Sequence, residues 1–186
     1  MDWGKLFRAP LSVFKKKAIA VTLAFGAMVL FANNSEAQDF EALPVPVGEV
    51  ILVVTGKIAV TNVEDRAEFD RQMLENLGLS QVRTTTDWTD GTQVFEGVLA
   101  RKVMERIGAE GTVAVATALN DFVSRVPLDE LRRYDVLLAM RQNGTEMQVS
   151  DKGPIWIVYP RSDNPELQDP KFNDRWVWQL RELRVE

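Results

Sequence analysis

The run Thr84-Thr85-Thr86-Asp87-Trp88 brings three hydroxyls, a carboxylate and an indole together within five residues. Side chains of these types can hydrogen-bond a small ligand and stack against it. Threonine is also a common strand residue and aspartate a common turn residue, so a strand followed by its turn explains the same run equally well. We take Thr84, Thr86, Asp87 and Trp88 from it as candidate ligand-binding residues.

A second polar group lies further along the chain and consists of Asn120, Asp121 and Arg125. These side chains could supply hydrogen bonds and charge to the same pocket. The alternative is structural, because an Asn-Asp pair between two apolar runs is typical of a turn. We keep all three residues as pocket candidates.

The most unusual concentration of side chains is aromatic and comprises Trp156, Tyr159, Trp176 and Trp178. If the last two tryptophans belong to a strand, their spacing of two places them on one face. Such a group can line a pocket for a planar or cationic ligand, or it can fill the core of a small β-rich domain. The pocket candidates from this group are Trp156, Tyr159 and Trp178.

The sequence contains no cysteine and no histidine. Their absence excludes disulfides, thiolate nucleophiles, thiolate-bound metals and imidazole acid–base catalysis. Nothing in the sequence brings two carboxylates together as an acid and a base. We therefore assign no catalytic residue and no metal ligand.

Residues 1–37 have the three-part pattern of a secretory signal peptide. A basic start that includes Lys15–Lys17 precedes an apolar stretch at 18–32, and Ala37 has the small side chain that a signal peptidase requires. The stretch is shorter than the roughly 20 residues that cross a bilayer. We predict cleavage after Ala37, a periplasmic or secreted location, and no stable membrane span after cleavage.

The remaining chain divides into an extended, proline-containing lead-in at 38–48 and one domain at 49–186. The whole chain has a net charge of −5, and removal of the basic signal segment leaves a more acidic protein. An acidic surface repels phosphate backbones, so we expect no nucleic-acid partner.

Hydrophobic periodicity and turn residues predict the elements of this domain. The predicted strands lie at 50–54, 112–118, 122–126, 136–140, 145–149, 155–159 and 176–185. Helices are predicted over 69–77 and from Glu96-Gly97 to Gly108, with a short helical turn at 127–131 and a loop at 161–174. Two helices among about seven strands predict a single α+β domain, β-rich and with mixed sheets.

Three stretches occur in a recognisable order: Thr84 to Trp88 with Gly97 nine residues beyond it, Asn120-Asp121-Phe122, and Gly153 to Pro160. This order resembles the molybdopterin-binding domain of the sulfite-oxidase type. The corresponding family motifs are Cys-x-x-x-Trp with the Gly that opens the next helix, Asp-Gly-Tyr, and Gly-x-Pro-x-Arg-x-x-x-Pro. The resemblance implies the same fold over most of residues 50–185.

The resemblance also implies that the residues of the family's cofactor site are replaced. Thr84 stands where the family has the cysteine that ligates molybdenum, and a neutral hydroxyl is a poor ligand for this metal. Trp156 and Trp178 stand where the family has an arginine and a lysine. No arginine pair precedes the apolar stretch, although exported molybdenum enzymes of this family typically acquire their cofactor before export. Molybdopterin is the cofactor that the resemblance implies, and we expect this chain to hold none.

These observations lead to three functional hypotheses. The first is an exported, non-catalytic module that binds a small-molecule ligand or a periplasmic protein partner, as a sensory domain does. The second is an oxidoreductase that holds molybdopterin without a cysteine ligand. The third is a purely structural partner domain, with no buried pocket behind Thr84 and Trp156.

Overall fold

The computed structural model describes residues 41–186, which belong to one compact unit that spans Gln38–Glu186. The predicted signal peptide and the start of the lead-in lie outside the described residues, so cleavage after Ala37 stays a prediction. Residues 41–48 of the lead-in contain no strand or helix. Within residues 41–186, none of the helices has the length and apolar character needed to cross a membrane.

The described part of the chain contains ten strands and three short α-helices. The strands are β1 (Val50–Gly56), β2 (Ala67–Asp70), β3 (Leu79–Thr86), β4 (Thr89–Leu99), β5 (Val113–Ala118), β6 (Val123–Pro127), β7 (Leu137–Gln142), β8 (Thr145–Glu146), β9 (Trp156–Val158) and β10 (Leu180–Val185). The helices are α1 (Arg71–Asn76), α2 (Ala100–Arg106) and α3 (Leu128–Arg133), and two 3-10 helices span Pro165–Gln168 and Pro170–Arg175. This content confirms the predicted α+β class.

Ten strands form two sheets in residues 41–186. The first sheet has the order β2-β1-β10-β5-β6, with β1 and β10 parallel and the other pairs antiparallel. It is therefore a mixed sheet, as predicted. The second sheet is antiparallel and has the order β3-β4-β7-β8, and β9 also pairs with β7.

Side chains from both sheets enter one hydrophobic core. Along β1 burial alternates, with Leu52 and Val54 fully buried and their neighbours half-exposed, as expected for a strand with one face on a core. Leu138 of β7 and Val103 of α2 belong to the same buried cluster. The two sheets and α2 thus share one hydrophobic core.

Both predicted helices begin later than the sequence pattern indicated. Phe69 belongs to β2, and α1 begins after Asp70, whose carboxylate caps it. The prediction that Glu96-Gly97 opens the second helix was also wrong, because β4 continues to Leu99. Gly97 lies opposite Ala139 of β7, and a Cβ atom there would lie 2.0 Å from the carbonyl oxygen of Leu138. The glycine thus permits close strand pairing rather than a helix start.

The predicted strand at 176–185 is also shorter in the structure. Its regular part, β10, begins at Leu180, directly after Gln179, whose φ of 51° is incompatible with extended backbone. Trp176 and Trp178 therefore precede the strand, and strand alternation does not explain their positions.

The segment 161–174, which the sequence predicted as loop, contains the first 3-10 helix and all but the last residue of the second. Pro165 and Pro170 each occupy the first helical position, where the missing N–H costs nothing. Asp169 caps the second of these helices by accepting the backbone N–H of Lys171. The prolines that suggested loop therefore begin short helices.

Candidate functional site

Four tryptophans meet beside the second sheet, and we call Trp88, Trp156, Trp176 and Trp178 the tryptophan cluster. The ring of Trp88 lies 6.3 Å from that of Trp156, 5.6 Å from that of Trp176 and 5.7 Å from that of Trp178. These are favourable tilted and edge-to-face separations. The cluster joins the β3–β4 turn, the start of β9 and the segment before β10.

The position of Trp88 is fixed by the turn that carries it. Thr86 accepts the backbone N–H of Trp88 at 3.0 Å, and the hydroxyls of Thr86 and Thr89 share a hydrogen bond of 2.8 Å. Thr86 therefore acts on the site through the turn. Its side chain positions the indole and is itself buried.

Trp156 forms the inner part of the cluster. It is fully buried, packs edge-on against Phe95 and donates its indole N–H to the carbonyl oxygen of Trp176 at 3.3 Å. The ammonium of Lys152 lies 5.6 Å from the ring centre of Trp156. Trp156 thus supports the cluster from the core, which is the packing role that the sequence left open.

A cavity of about 210 Å³ opens beside the tryptophan cluster. Of the candidates named from the sequence, Trp88, Asn120 and Trp178 line it, together with Trp176. The remaining lining residues are Ala118, Phe122, Asn173, Asp174 and Val177. Sequence reasoning missed these five as site residues, although Phe122 belongs to the stretch Asn120-Asp121-Phe122 and Asp174 precedes the Trp176–Trp178 pair.

The walls of the cavity are mainly apolar and aromatic, and the charge on them is negative. Among the described residues, Asp174 is the only lining residue with a charged side chain, and neither lysine nor arginine lines the cavity. Asp174 and Asn120 are exposed at the opening, whereas Trp176 is buried at the wall. The cavity therefore combines aromatic surface with a carboxylate at its edge.

Thr84 and Asp87 are not among the lining residues. Thr84 is fully buried, and its hydroxyl accepts the backbone N–H of Ser162 at 3.1 Å. The same oxygen lies 3.2 Å from the hydroxyl of Ser162 and 3.2 Å from the carbonyl oxygen of Thr85. Asp87 forms an ion pair with Arg161 at 2.6 Å. Both residues thus link the β3–β4 hairpin to the segment after β9.

The candidates Asp121 and Arg125 also lie away from the cavity lining. Asp121 pairs with Arg181, and Arg125 pairs with Glu186, each at 2.9 Å. With a φ of 63°, Asp121 occupies the turn between β5 and β6, in agreement with the turn interpretation.

Tyr159 is fully buried and donates its hydroxyl hydrogen to Glu130 at 3.1 Å. Glu130 also forms an ion pair with Arg175, which precedes the tryptophans at 176 and 178. Burial, reinforced by the negative charge of Glu130, raises the pKa of Tyr159 well above its ordinary value. The ion pair between Glu130 and Arg175 therefore anchors the cavity-lining segment to α3.

Residues 41–186 contain no group of three or more carboxylates placed to hold a metal ion. The cavity offers aromatic surface against which a small planar or cationic group can pack.

Comparisons with known proteins identify the fold. Among solved structures, the chain is similar to the sulfane dehydrogenase SoxCD from Paracoccus pantotrophus, with a TM-score of 0.55 and 16% sequence identity. The match covers 77% of this chain and 40% of the SoxCD chain, so this chain spans less than half of that protein's length. No curated protein matches the sequence.

A family model places the sequence more specifically. The model described as the oxidoreductase molybdopterin binding domain matches residues 56–162. This match covers more than half of the chain and includes β3, β4, β7 and β9, which carry or adjoin Thr84, Trp88 and Trp156. The chain therefore belongs to the oxidoreductase molybdopterin-binding domain family.

Proposed function

We propose that this chain is an exported member of its family that binds a small organic ligand in the cavity beside the tryptophan cluster and performs no molybdenum chemistry. The observation that carries the proposal is the cavity itself, which three indoles line. Ligand sites in proteins are concave, mostly apolar and furnished with a few polar groups. This cavity has those properties.

The residues of the described chain do not fit molybdopterin. At the position that the resemblance assigns to the metal-binding cysteine, the Thr84 hydroxyl is buried and hydrogen-bonded within the protein. Trp156 and Trp178, at the positions of two family cations, belong to the tryptophan cluster. A phosphate-bearing pterin would also meet Asp174 and no lining cation in the cavity beside them.

The size of the cavity supports a small ligand. Pockets for drug-sized molecules occupy roughly 300–1,000 Å³, so a cavity of about 210 Å³ is below that range and suits a smaller molecule. The indole of Trp178 is partly exposed at the cavity and offers a surface on which a ligand can stack.

Export is a separate part of the proposal and rests on the signal-peptide pattern of residues 1–37. Mass spectrometry of the secreted or periplasmic protein should give a chain that begins at Gln38. A chain that keeps residues 1–37 and remains in the cytoplasm would contradict this part alone.

Metal analysis and native mass spectrometry of freshly purified protein test the binding function. We expect molybdenum and tungsten at far below one atom per chain, and a non-covalent ligand mass that is lost in Trp178→Leu. Phe172→Leu is the matched control, because it removes a neighbouring aromatic side chain that does not line the cavity.

Two results would overturn the proposal. Stoichiometric molybdenum or tungsten, with a pterin released on denaturation, would instead support the oxidoreductase hypothesis. If the isolated protein carries no ligand mass and neither indole nor choline binds it in a calorimetric titration, the cavity is not a binding site.

A further inference from the structure

We infer that the ligand of this cavity is a small organic cation, such as a quaternary ammonium or a methylated amine. This inference rests on the proposed binding function and specifies its ligand class. Three observations carry it: the aromatic side chains that line the cavity, the single charged lining residue, and the pairing of nearby cations with other groups.

The aromatic side chains that line the cavity come from separate parts of the chain. Trp88 lies in the β3–β4 turn, Trp176 and Trp178 precede β10, and Phe122 precedes β6. The face of an aromatic ring carries partial negative charge and attracts a cation within about 6 Å of the ring centre, most strongly for tryptophan. A ligand in this cavity is therefore within reach of several such rings.

The charge of the lining favours the same class of ligand. Asp174 is the one charged lining residue in the described part of the chain, and the two other polar side chains, Asn120 and Asn173, are neutral amides. A carboxylate at the opening attracts a cationic ligand and repels an anionic one. Neutral planar ligands would stack on the same rings without using Asp174.

The nearby cations of the chain are paired outside the cavity lining. Arg175 follows Asp174 directly, but it pairs with Glu130 and lies over the ring of Phe172. Lys152 pairs with Asp151 at 2.9 Å and lies over Trp156, which does not line the cavity. The rings at 88, 122, 176 and 178 thus remain available to a cation from outside.

The contact between Lys152 and Trp156 also shows that the tryptophan cluster suits a cation. The ammonium lies 5.6 Å from the ring centre, and the lysine side chain is mostly buried. An organic ammonium ion in the cavity would make the corresponding contact with the cavity-lining rings. Methyl groups on its nitrogen would lower the free-energy cost of removing it from water and would fill the apolar space.

Two probes of nearly identical shape test the charge requirement directly. Choline carries a trimethylammonium group, and 3,3-dimethylbutan-1-ol replaces that nitrogen with a neutral carbon. Titration of the purified protein, followed by tryptophan fluorescence and calorimetry, should give choline binding about tenfold or more tighter than binding of the neutral alcohol.

Matched variants identify the groups responsible. Asp174→Asn should weaken choline binding several-fold and leave the neutral alcohol unchanged, whereas Asp163→Asn, at an exposed aspartate outside the lining, should change neither. Trp178→Leu should weaken both probes. Unfolding curves of each variant establish that it is folded before binding is measured.

The other outcomes of these titrations would contradict the cation inference, and one of them would also contradict the proposed binding function. Equal binding of the two probes, or binding of indole without choline, would overturn the cation inference while leaving a ligand site in place. If choline, the neutral alcohol and indole all fail to bind the folded protein, the proposed binding function fails as well.

Discussion

The hydroxyl oxygen of Thr84 accepts the backbone N–H of Ser162 at 3.1 Å, across 78 residues of sequence. This contact fastens the end of β3 to the segment that follows β9. Thr84→Val keeps the shape of the side chain and removes the acceptor, and we expect it to lower the free energy of unfolding by about 1 kcal/mol. Urea unfolding measures the loss, and Thr85→Val, at the neighbouring half-exposed residue, is the control. An unchanged free energy in Thr84→Val would show that the contact does not stabilise the protein.

Thr84→Cys introduces the residue type that the resemblance assigns to this position, the family's molybdenum-binding cysteine. We expect this variant to remain free of molybdenum when it is produced in a host that makes the cofactor, because the resemblance places Trp156 and Trp178 where the family has two cations. Elemental analysis of the variant beside the wild-type protein measures the metal. One molybdenum per chain in the variant would mean that a single substitution removed the cofactor site.

Asp70 holds the lead-in and α1 together through its carboxylate. One oxygen accepts the N–H groups of Val47 and Gly48 at 3.0 and 2.9 Å, and the other accepts the N–H of Met73 at 2.9 Å. These hydrogen bonds, with that of Met73 first, lower the pKa of Asp70. Because the carboxylate is buried, Asp70→Ala should cost about 2–3 kcal/mol at pH 7.

The pH dependence of this effect has a definite sign. A folded-state pKa below the unfolded value of about 3.9 means that Asp70 contributes stability above pH 3.9, and that this stability is lost as the pH falls through the folded pKa. The difference in unfolding free energy between wild type and Asp70→Asn should therefore shrink from pH 5 to pH 2. A constant difference over this range would assign the effect to packing.

The two tyrosines of the chain, Tyr134 and Tyr159, both have raised pKa values, chiefly because they are buried. In an ultraviolet titration we expect the tyrosinate signal of the folded protein to appear above the ordinary pKa near 10. Since the unfolded chain loses these protons first, stability is present below pH 10 and falls as the pH rises toward the folded values. Absorbance at alkaline pH, followed alongside circular dichroism, should show ionisation and unfolding together. Tyr159→Phe should halve the absorbance change.

Gly97 allows β4 and β7 to approach closely. Gly97→Ala places a Cβ atom against the carbonyl oxygen of Leu138 and should cost about 3 kcal/mol, because a backbone rather than a side chain must move. Gly91→Ala is the matched control: its φ of 64° is unfavourable for alanine, but nothing lies within 4 Å of the new atom. We expect it to cost about 1 kcal/mol. Equal losses in thermal or urea unfolding would show that the strands separate easily at Gly97.

Much of the fold could be predicted because its strands carry strong local patterns. The buried run in β1 and the Asn143-Gly144 turn between β7 and β8 are examples, and both turn residues have the positive φ that such hairpins require. The limits of β4 and β10 could not be predicted in this way. They depend on a backbone approach at Gly97 and on the left-handed Gln179, and neither changes the hydrophobic pattern.

The candidate site could be predicted only in part, for a related reason. The run 84–88 pointed to Trp88 and the aromatic group pointed to Trp178, and the structure places both at the cavity. Asp174 lies in a segment whose conformation depends on the contact of Arg175 with Glu130, 45 residues earlier in the sequence. No local spacing encodes such a contact, so neither this carboxylate nor its place beside the indoles could be found from the sequence.

The position of β10 constrains when the protein can finish folding. In the first sheet β10 lies between β1 and β5, so the β1–β2 and β5–β6 pairs have no strand to join them until residues 180–185 are available. During synthesis these residues leave the ribosome after all the others of the domain. A nascent chain can therefore collapse in parts but cannot close its first sheet until residues 180–185 have been synthesised. Such a delay would suit a polypeptide that must stay unfolded until it has crossed a membrane.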